Sequence, residues 1–264
     1  MLLHGTCQGP ATSVTTDPFE HLPALRGKLT PAEQSRLRPT WEQLAQWDER
    51  ARAHGLPPDW RLPNEQIEST RRALLAGHGA ERDLWVYGYG SLMWDPGIHF
   101  VEVRLARLPG YRRRFCLRST LGRGSREQPA LMLSLEQGSG ECSGLAFRIA
   151  APQVEAESAL LWRREMLRGG YAPKLLPVST PQGEITALAM TANVAHPDYL
   201  GELPLHDTAV TIAGAVGLFG SNRDYLEQLA GQLDTLGIDD PYVRRLLQRV
   251  RALAGPSIAG SAAG

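Results

Sequence analysis

A chain of 264 residues, of which 42% are hydrophobic, is long enough to bury one sizeable core with a small appended unit. Lysine plus arginine and aspartate plus glutamate are balanced at 28 each, so no net charge favours a nucleic acid or an anionic membrane as partner. The three cysteines lack C-x-x-C or Cys/His spacing, which argues against a disulfide framework and against structural zinc.

The N-terminal third is polar and contains three predicted helix starts. Thr30-Pro31-Ala32-Glu33 combines an N-cap, a proline in the first turn and a capping box. Thr40 caps a helix that runs toward Gly55, and Asn64 caps another that Gly77 ends. Because no polar cluster recurs among them, we expect these helices to pack on the main domain or to cap an oligomer contact, without a catalytic role.

From Leu84 onward apolar and polar residues alternate, which is the period of half-buried strands. A helical pattern from Gln153 to Leu167 interrupts this rhythm, and Gly169-Gly170 ends it. Glu155 and Glu157 lie in its first turn, where we expect them to face solvent. A hairpin then follows, with a Pro-Gln-Gly turn between two further strands.

Late helices are predicted near Pro204–Gly214, near Asp224–Leu236 and from Asp240 onward. Together the patterns predict an α+β fold: a small, mostly antiparallel β-barrel with surrounding helices and an N-terminal helical extension. We expect the extension to cover residues 1–80, the main domain residues 81–254, and a flexible tail residues 255–264.

The segment Leu84–Trp94 is the most informative one, because an apolar strand breaks into a turn with two glycines, Gly88 and Gly90. Both permit a positive φ and the close approach of a ligand, so consecutive N–H groups could converge on one oxygen atom. Familiar glycine motifs do not fit. A dinucleotide fingerprint needs a third glycine at Met93, a phosphate-binding loop needs Gly-Lys-Ser/Thr, and a nucleophile elbow needs glycines two positions either side of Ser91.

Further motifs follow in a fixed order along the chain. They are Tyr89-Gly90-Ser91-Leu92, Arg164-Glu165 before Gly169-Gly170-Tyr171, Pro197-Asp198-Tyr199-Leu200-Gly201, and Gly220-Ser221-Asn222-Arg223-Asp224-Tyr225-Leu226. In this order they resemble the ChaC-type, glutathione-specific γ-glutamylcyclotransferases, over about Leu84 to Val250. The resemblance implies the same barrel fold and the cleavage of glutathione to 5-oxoproline and Cys-Gly.

The resemblance also implies which residues do the work. Glu165 would be the catalytic acid/base, although a glutamate beside Arg164 and Arg168 at a helix end is otherwise typical of a solvated surface. We expect burial beside Trp162 to raise its pKa, and either arginine, if turned inward, to oppose that shift. The implied substrate-binding residues are Val86, Tyr87, Gly88, Tyr89, Gly90, Ser91, Leu92, Arg118 and Tyr225.

In the implied reaction the α-amine of the substrate attacks its own γ-carbonyl group and closes a five-membered ring, so the protein needs no nucleophile. Two alternatives remain open: cyclotransfer on another γ-glutamyl amine, and a non-catalytic regulatory module that uses the same pocket. For single residues, the alternatives are a solvated strand face for Arg118 and helix capping for Asn222.

The remaining expectations concern partners and location. The seven histidines show no metal-binding spacing, so we expect no metal and no other cofactor. Met1–Gly5 lacks the features of a leader, and no stretch approaches the length of a membrane span, so we expect a cytoplasmic protein. The expected partner is a small molecule, glutathione or a related γ-glutamyl amide, and neither nucleic acid nor membrane. The oligomeric state stays open.

Overall fold

A closed five-stranded β-barrel forms the centre of the protein. The computed structural model describes residues 17–53 and 55–253. The strands pair in the order β1-β3-β2-β4-β5, with a further pairing between β3 and β5. All pairings are antiparallel except those of β5 with β1 and β3. The strands are β1 (Leu84–Gly88), β2 (Glu102–Ser119), β3 (Ala130–Ile149), β4 (Tyr171–Thr180) and β5 (Gly183–Ala192).

Helices surround the barrel, and a two-stranded hairpin precedes the fifth helix. The hairpin consists of β6 (Val216–Gly217) and β7 (Gly220–Ser221). The predicted α+β class, a small mostly antiparallel barrel with surrounding helices, is confirmed. The helices are α1 (Trp41–Ala53), α2 (Asn64–Leu75), α3 (Val154–Glu165), α4 (Leu205–Gly214), α5 (Asn222–Thr235) and α6 (Pro241–Leu253).

The observed starts of the N-terminal helices agree only in part with those predicted from the sequence. Thr40 does cap α1, because its hydroxyl accepts the Gln43 amide while the Gln43 side chain accepts the Thr40 amide. The helix expected after Thr30 is wrong: only a 3-10 turn forms there, and the Thr30 amide donates to Trp94 in the main domain instead. Asn64 is the first residue of α2, and the N-cap is Pro63.

The described part of the N-terminal segment packs on the main domain. Leu25, Leu29 and Ile67 belong to the same buried apolar cluster as Phe147 of the barrel and Trp162 on α3. This observation supports the first of the two roles considered for these helices. The predicted tail and the segment Met1–Gly5 lie outside the described residues. Cys116 and Cys142 are buried free thiols, and Cys7 also lies outside the described residues.

An ion-pair network joins this N-terminal segment to α3. The Arg38 guanidinium donates to both carboxylate oxygens of Glu157, at 2.6 and 3.1 Å, and to the carbonyl of Gly97 at 2.9 Å. His99 contacts the same carboxylate through Nδ1 at 2.7 Å. The expectation that Glu157 faces solvent is therefore wrong, because this distant arginine covers it and only 5% of its side chain is exposed.

No helix in the described ranges is both long and apolar enough to cross a lipid bilayer.

We predict that Arg38→Ala lowers the free energy of unfolding by about 2–4 kcal/mol, because it leaves a buried carboxylate with His99 as its main remaining partner. Urea denaturation at neutral pH measures this change. The exposed neighbour Arg36 provides a matched control, since Arg36→Ala removes the same charge from the surface. Equal stability of the two variants would show that the network contributes nothing.

Candidate active site

The turn after β1 is tight, and one of its glycines, Gly90, makes room for a side chain of α5. Met93 and Trp94 donate to the carbonyls of Gly90 and Ser91, at 2.8 and 3.1 Å. Between residues 17 and 253, with position 54 set aside, the amides of Gly90 and Leu92 donate no hydrogen bond to another residue. These two N–H groups therefore have no acceptor within the described part of the chain.

The reason given above for Gly88 and Gly90 needs correction, because neither has a positive φ. Their use is close packing. A methyl group on Gly90 would lie 2.7 Å from the Tyr225 hydroxyl on α5 and 3.2 Å from a methyl carbon of Leu133. A methyl group on Gly88 would lie 3.0 Å from the Leu92 Cβ atom. Absence of a side chain therefore lets Tyr225 contact the turn itself.

Buried polar side chains fix the turn from two other elements. Arg113 on β2, only 2% exposed, donates to the Tyr89 carbonyl at 3.1 Å and pairs with Asp240 at 2.6 Å. Gln232 on α5 donates to the Met93 carbonyl at 2.7 Å. Burial alone would lower the pKa of Arg113, but Asp240 and other groups around it hold that pKa above its ordinary value.

Glu165 ends α3 directly beside the turn, with Arg164 turned inward. The Arg164 Nε atom lies 2.8 Å from a carboxylate oxygen of Glu165, and one terminal nitrogen donates to the Ser91 hydroxyl at 2.8 Å. The other terminal nitrogen donates to the Asp95 carbonyl at 2.8 Å. Arg168 points elsewhere, toward Thr120 and Asp198. Arg164 is therefore the arginine that acts on Glu165.

Burial raises the pKa of Glu165, and the adjacent Arg164 opposes this shift without cancelling it. Only 15% of the Glu165 side chain remains exposed. The direction agrees with the expectation from the sequence. A carboxyl group with a raised pKa can gain and lose a proton closer to neutral pH than an exposed glutamate can.

Three tyrosines surround this carboxyl group. Burial raises the pKa of Tyr89, Tyr171 and Tyr225, and the nearby Glu165 adds to that shift in each case, to about 12 for Tyr225. All three phenols are therefore protonated near neutral pH. Tyr89 donates to the Met190 carbonyl at 2.7 Å, and Tyr171 donates to the Leu133 carbonyl at 2.9 Å. Tyr171 was not among the predicted site residues, although the Gly-Gly-Tyr motif contained it.

The structure brings together only part of the predicted site. Tyr89, Gly90, Ser91, Tyr225 and Glu165 converge, whereas the side chains of Val86, Tyr87 and Leu92 belong to the core. Tyr87, for example, donates to the carbonyl of Cys142.

Two further residues named from the sequence have other contacts. Arg118 lies on an exposed strand face, where it pairs with Asp198 at 2.9 Å, so the structure does not bring it to Glu165. Asn222 is buried and exchanges two hydrogen bonds with the backbone of Leu131, while Ser221 caps α5. Helix capping by Asn222 is thus wrong, because the strand edge occupies its side chain.

Two cavities lie outside this cluster. Two cavities of about 280 and 290 Å³ lie beside Asp240 and beside Glu136, and neither is lined by Glu165. Within the described part of the chain, no group of three or more His, Cys, Asp or Glu side chains is arranged to hold a metal ion.

We predict that Gly90→Ala destabilises the fold by about 1–3 kcal/mol, because the new methyl group would overlap the Tyr225 hydroxyl. Thermal unfolding measures the effect. Gly231→Ala on α5 is the control, since no atom other than those of its chain neighbours and its own helix backbone lies within 4 Å of the added carbon, and it should stabilise slightly. Tyr225→Phe should recover part of the loss in the double variant. Equal behaviour of the two alanine variants would refute the contact.

Comparison with known proteins identifies the family of this site. The model of the ChaC-like protein family matches residues 84–253. The chain is 38% identical over 190 residues to the glutathione-specific gamma-glutamylcyclotransferase of Escherichia coli (strain K12), covering 72% of this chain and 82% of that protein. It is 32% identical to glutathione-specific gamma-glutamylcyclotransferase 1 of Homo sapiens, covering 70% of this chain and 83% of that protein.

Solved structures agree on the fold. A gamma-glutamyl cyclotransferase specific to glutathione from yeast superimposes with a TM-score of 0.60 at 22% identity, covering 64% of this chain and 96% of that one. The matched region begins at Leu84, so it includes the turn, Glu165 and Tyr225 and excludes the N-terminal segment. The chain belongs to the ChaC-like protein family.

Proposed function

We propose that this protein is a γ-glutamylcyclotransferase that cleaves glutathione to 5-oxoproline and Cys-Gly. The observation that carries the proposal is the largely buried Glu165, with its raised pKa, beside a turn in which two backbone N–H groups have no acceptor among the described residues. Its relatives, named glutathione-specific gamma-glutamylcyclotransferases, support the choice of substrate.

The proposed reaction needs one group that moves protons. The α-amine nitrogen of the γ-glutamyl residue bonds to its own γ-carbonyl carbon, and the bond from that carbon to the cysteine nitrogen breaks. Glu165 accepts the proton that the attacking amine loses and returns it to the departing cysteine nitrogen. Atoms balance without water, since the released proton and the accepted proton are the same.

The turn would stabilise the oxygen that becomes negative. As the amine attacks, the γ-carbonyl oxygen gains charge, and the N–H groups of Gly90 and Leu92, which have no acceptor among the described residues, would donate to it. Holding the amine and carbonyl of one molecule in contact can replace about 7–11 kcal/mol of the barrier. The rigid turn and the packed tyrosines therefore act mainly by selecting the reactive conformer.

We also propose that two parts of the chain have different roles. Residues 81–254 carry the catalytic unit, and residues 1–80 form an extension that stabilises it through Leu25, Ile67 and Arg38. Tyr225 would bind substrate beside the turn. Arg118, on its exposed face, would act only through its pair with Asp198 and not by touching substrate.

We predict that the purified protein converts glutathione to equal amounts of 5-oxoproline and Cys-Gly, and that Glu165→Gln lowers kcat by about 10²–10⁴-fold without unfolding the protein. Product analysis over several γ-glutamyl amines measures both. Glu155→Gln is the matched control, because this glutamate lies on the same helix with 83% of its side chain exposed. Release of free glutamate would mean that water attacks. Turnover of another γ-glutamyl amine alone would reassign the substrate, and no turnover would indicate a binding module.

We predict that the rate of 5-oxoproline release rises with pH through a limb above the ordinary glutamate value of 4.5. The sign follows because burial raises the pKa of Glu165, so the ionised base accumulates only at higher pH. Arg164→Gln removes the opposing cation and should move the limb further upward, as rate–pH profiles would show. A limb at the ordinary value, or one that Arg164→Gln leaves in place in a folded variant, would contradict a tuned Glu165.

A further inference from the structure

The loop that joins β2 to β3 carries an arginine to the edge of the candidate site. Gly122 adopts a positive φ of +79°, and its carbonyl accepts the Phe219 amide at 2.8 Å. Gly217 packs so closely on this loop that an added methyl carbon would lie 2.3 Å from the Gly122 carbonyl oxygen and 2.6 Å from the Gly124 amide nitrogen. The β6–β7 hairpin thus holds the loop, and with it the backbone of Arg123.

The Arg123 side chain lies over Tyr225. Its guanidinium carbon is 5.3 Å from the centroid of the tyrosine ring, and one terminal nitrogen donates to the Ser221 carbonyl at 2.9 Å. The hydroxyl of the same tyrosine meets the turn at Gly90. Arg123 is therefore one aromatic ring away from the turn that would hold the reacting carbonyl group.

Arg123 differs from the other arginines near the site because its guanidinium is not paired with a carboxylate of the described residues. Arg113, Arg164 and Arg168 are each paired with a carboxylate, of Asp240, Glu165 and Asp198 respectively.

Among the described residues, Arg123 has no carboxylate within ion-pair distance. Asp224 is the acidic residue whose charge acts on Arg123, but its carboxylate is used in the capping box of α5 with Ser221. Burial lowers the pKa of Arg123, and Tyr225 and Asp224 only partly offset this shift. A half-buried guanidinium with free donors is a ready partner for a carboxylate that the protein does not supply.

We propose that Arg123 binds the C-terminal carboxylate of the tripeptide substrate, the group at the end remote from the bond that breaks. The proposal rests on the proposed function, in which glutathione is cleaved. Glutathione carries two carboxylates. The one on the γ-glutamyl residue is a few bonds from the attacked carbonyl, so it stays at the turn beside Glu165 and Arg164.

The glycine carboxylate lies two residues further along the substrate. Arg123 is separated from the turn by the ring of Tyr225, which matches the position of that end of the tripeptide. Arg164 is already engaged by Glu165, so it does not serve the glycine carboxylate. Arg123 would then distinguish a γ-glutamyl tripeptide from a γ-glutamyl amide that lacks the terminal acid. Since the contact is far from the reacting atoms, it should affect binding of substrate more than the chemical step.

Equilibrium binding to protein carrying Glu165→Gln tests the assignment without consuming the ligand. The two ligands are glutathione and glutathione whose glycine carboxylate is a primary amide. Adding Arg123→Met should weaken glutathione binding by about 10–100-fold, the range for a hydrogen-bonded charge pair, and leave binding of the amide within about twofold. Arg123→Lys should restore part of the loss. In otherwise unchanged protein, Arg123→Met should raise KM for glutathione while kcat changes little.

The matched control is Arg223→Met, which removes an equal charge from the start of α5, where Arg223 pairs with Glu227 near the surface. This variant should bind both ligands as before. Equal weakening of both ligands by Arg123→Met would overturn the proposal, because it would place the arginine on the other carboxylate or in a purely structural role. Unchanged binding of glutathione would overturn it as well.

The outcomes also separate this proposal from the proposed function. If Arg123→Met weakens the binding of glutathione selectively but the unaltered protein releases no 5-oxoproline, the proposed cyclotransferase activity is wrong and the Arg123 contact stands. If it releases 5-oxoproline and Arg123→Met affects both ligands equally, the activity stands and the contact is wrong. If neither ligand binds, both are wrong.

Discussion

The contact between Arg164 and Glu165 is the interaction on which the site depends. One guanidinium group connects the end of α3 to the turn after β1, because it reaches the Glu165 carboxylate, the Ser91 hydroxyl and the Asp95 carbonyl at once. Burial makes this connection strong, since few water molecules compete for the donors. Burial also sets the protonation of Glu165, so the same packing that holds the two elements together prepares the carboxyl group for proton transfer.

Rigidity of the turn has several independent sources. Arg113 holds it from β2, and Tyr225 and Gln232 hold it from α5, so elements far apart in the sequence fix a few consecutive residues. A site built in this way loses little conformational freedom when a ligand binds, which favours selection of one substrate conformer. This rigidity requires a buried charge, because the Arg113 guanidinium is only 2% exposed and its burial is unfavourable unless Asp240 pairs with it.

Periodicity predicted the strands and helices, the family resemblance agreed with it on a barrel, and motif order directed attention to the turn and Glu165. The alternation of apolar and polar residues is a local property of each strand, so it can be recognised without knowledge of tertiary contacts. The errors concern residues whose partners are distant. Glu157 was expected at the surface, yet its partner Arg38 precedes it by 119 positions, and Asn222 bonds to Leu131, 91 positions away. Gly90 was explained by φ, whereas its cause is Tyr225, a residue that no local pattern connects to it.

The packing of the N-terminal segment has a consequence for synthesis of the chain on the ribosome. Arg38 is made 119 residues before the Glu157 it pairs with, a delay of about 6–24 s at about 5–20 residues per second. Leu25 and Ile67 wait still longer for the barrel that buries them, because its last strand, β5, ends only at Ala192. The nascent segment therefore exposes apolar surface until β5, the last strand of the barrel, emerges, and nascent-chain chaperones would encounter it before the core exists.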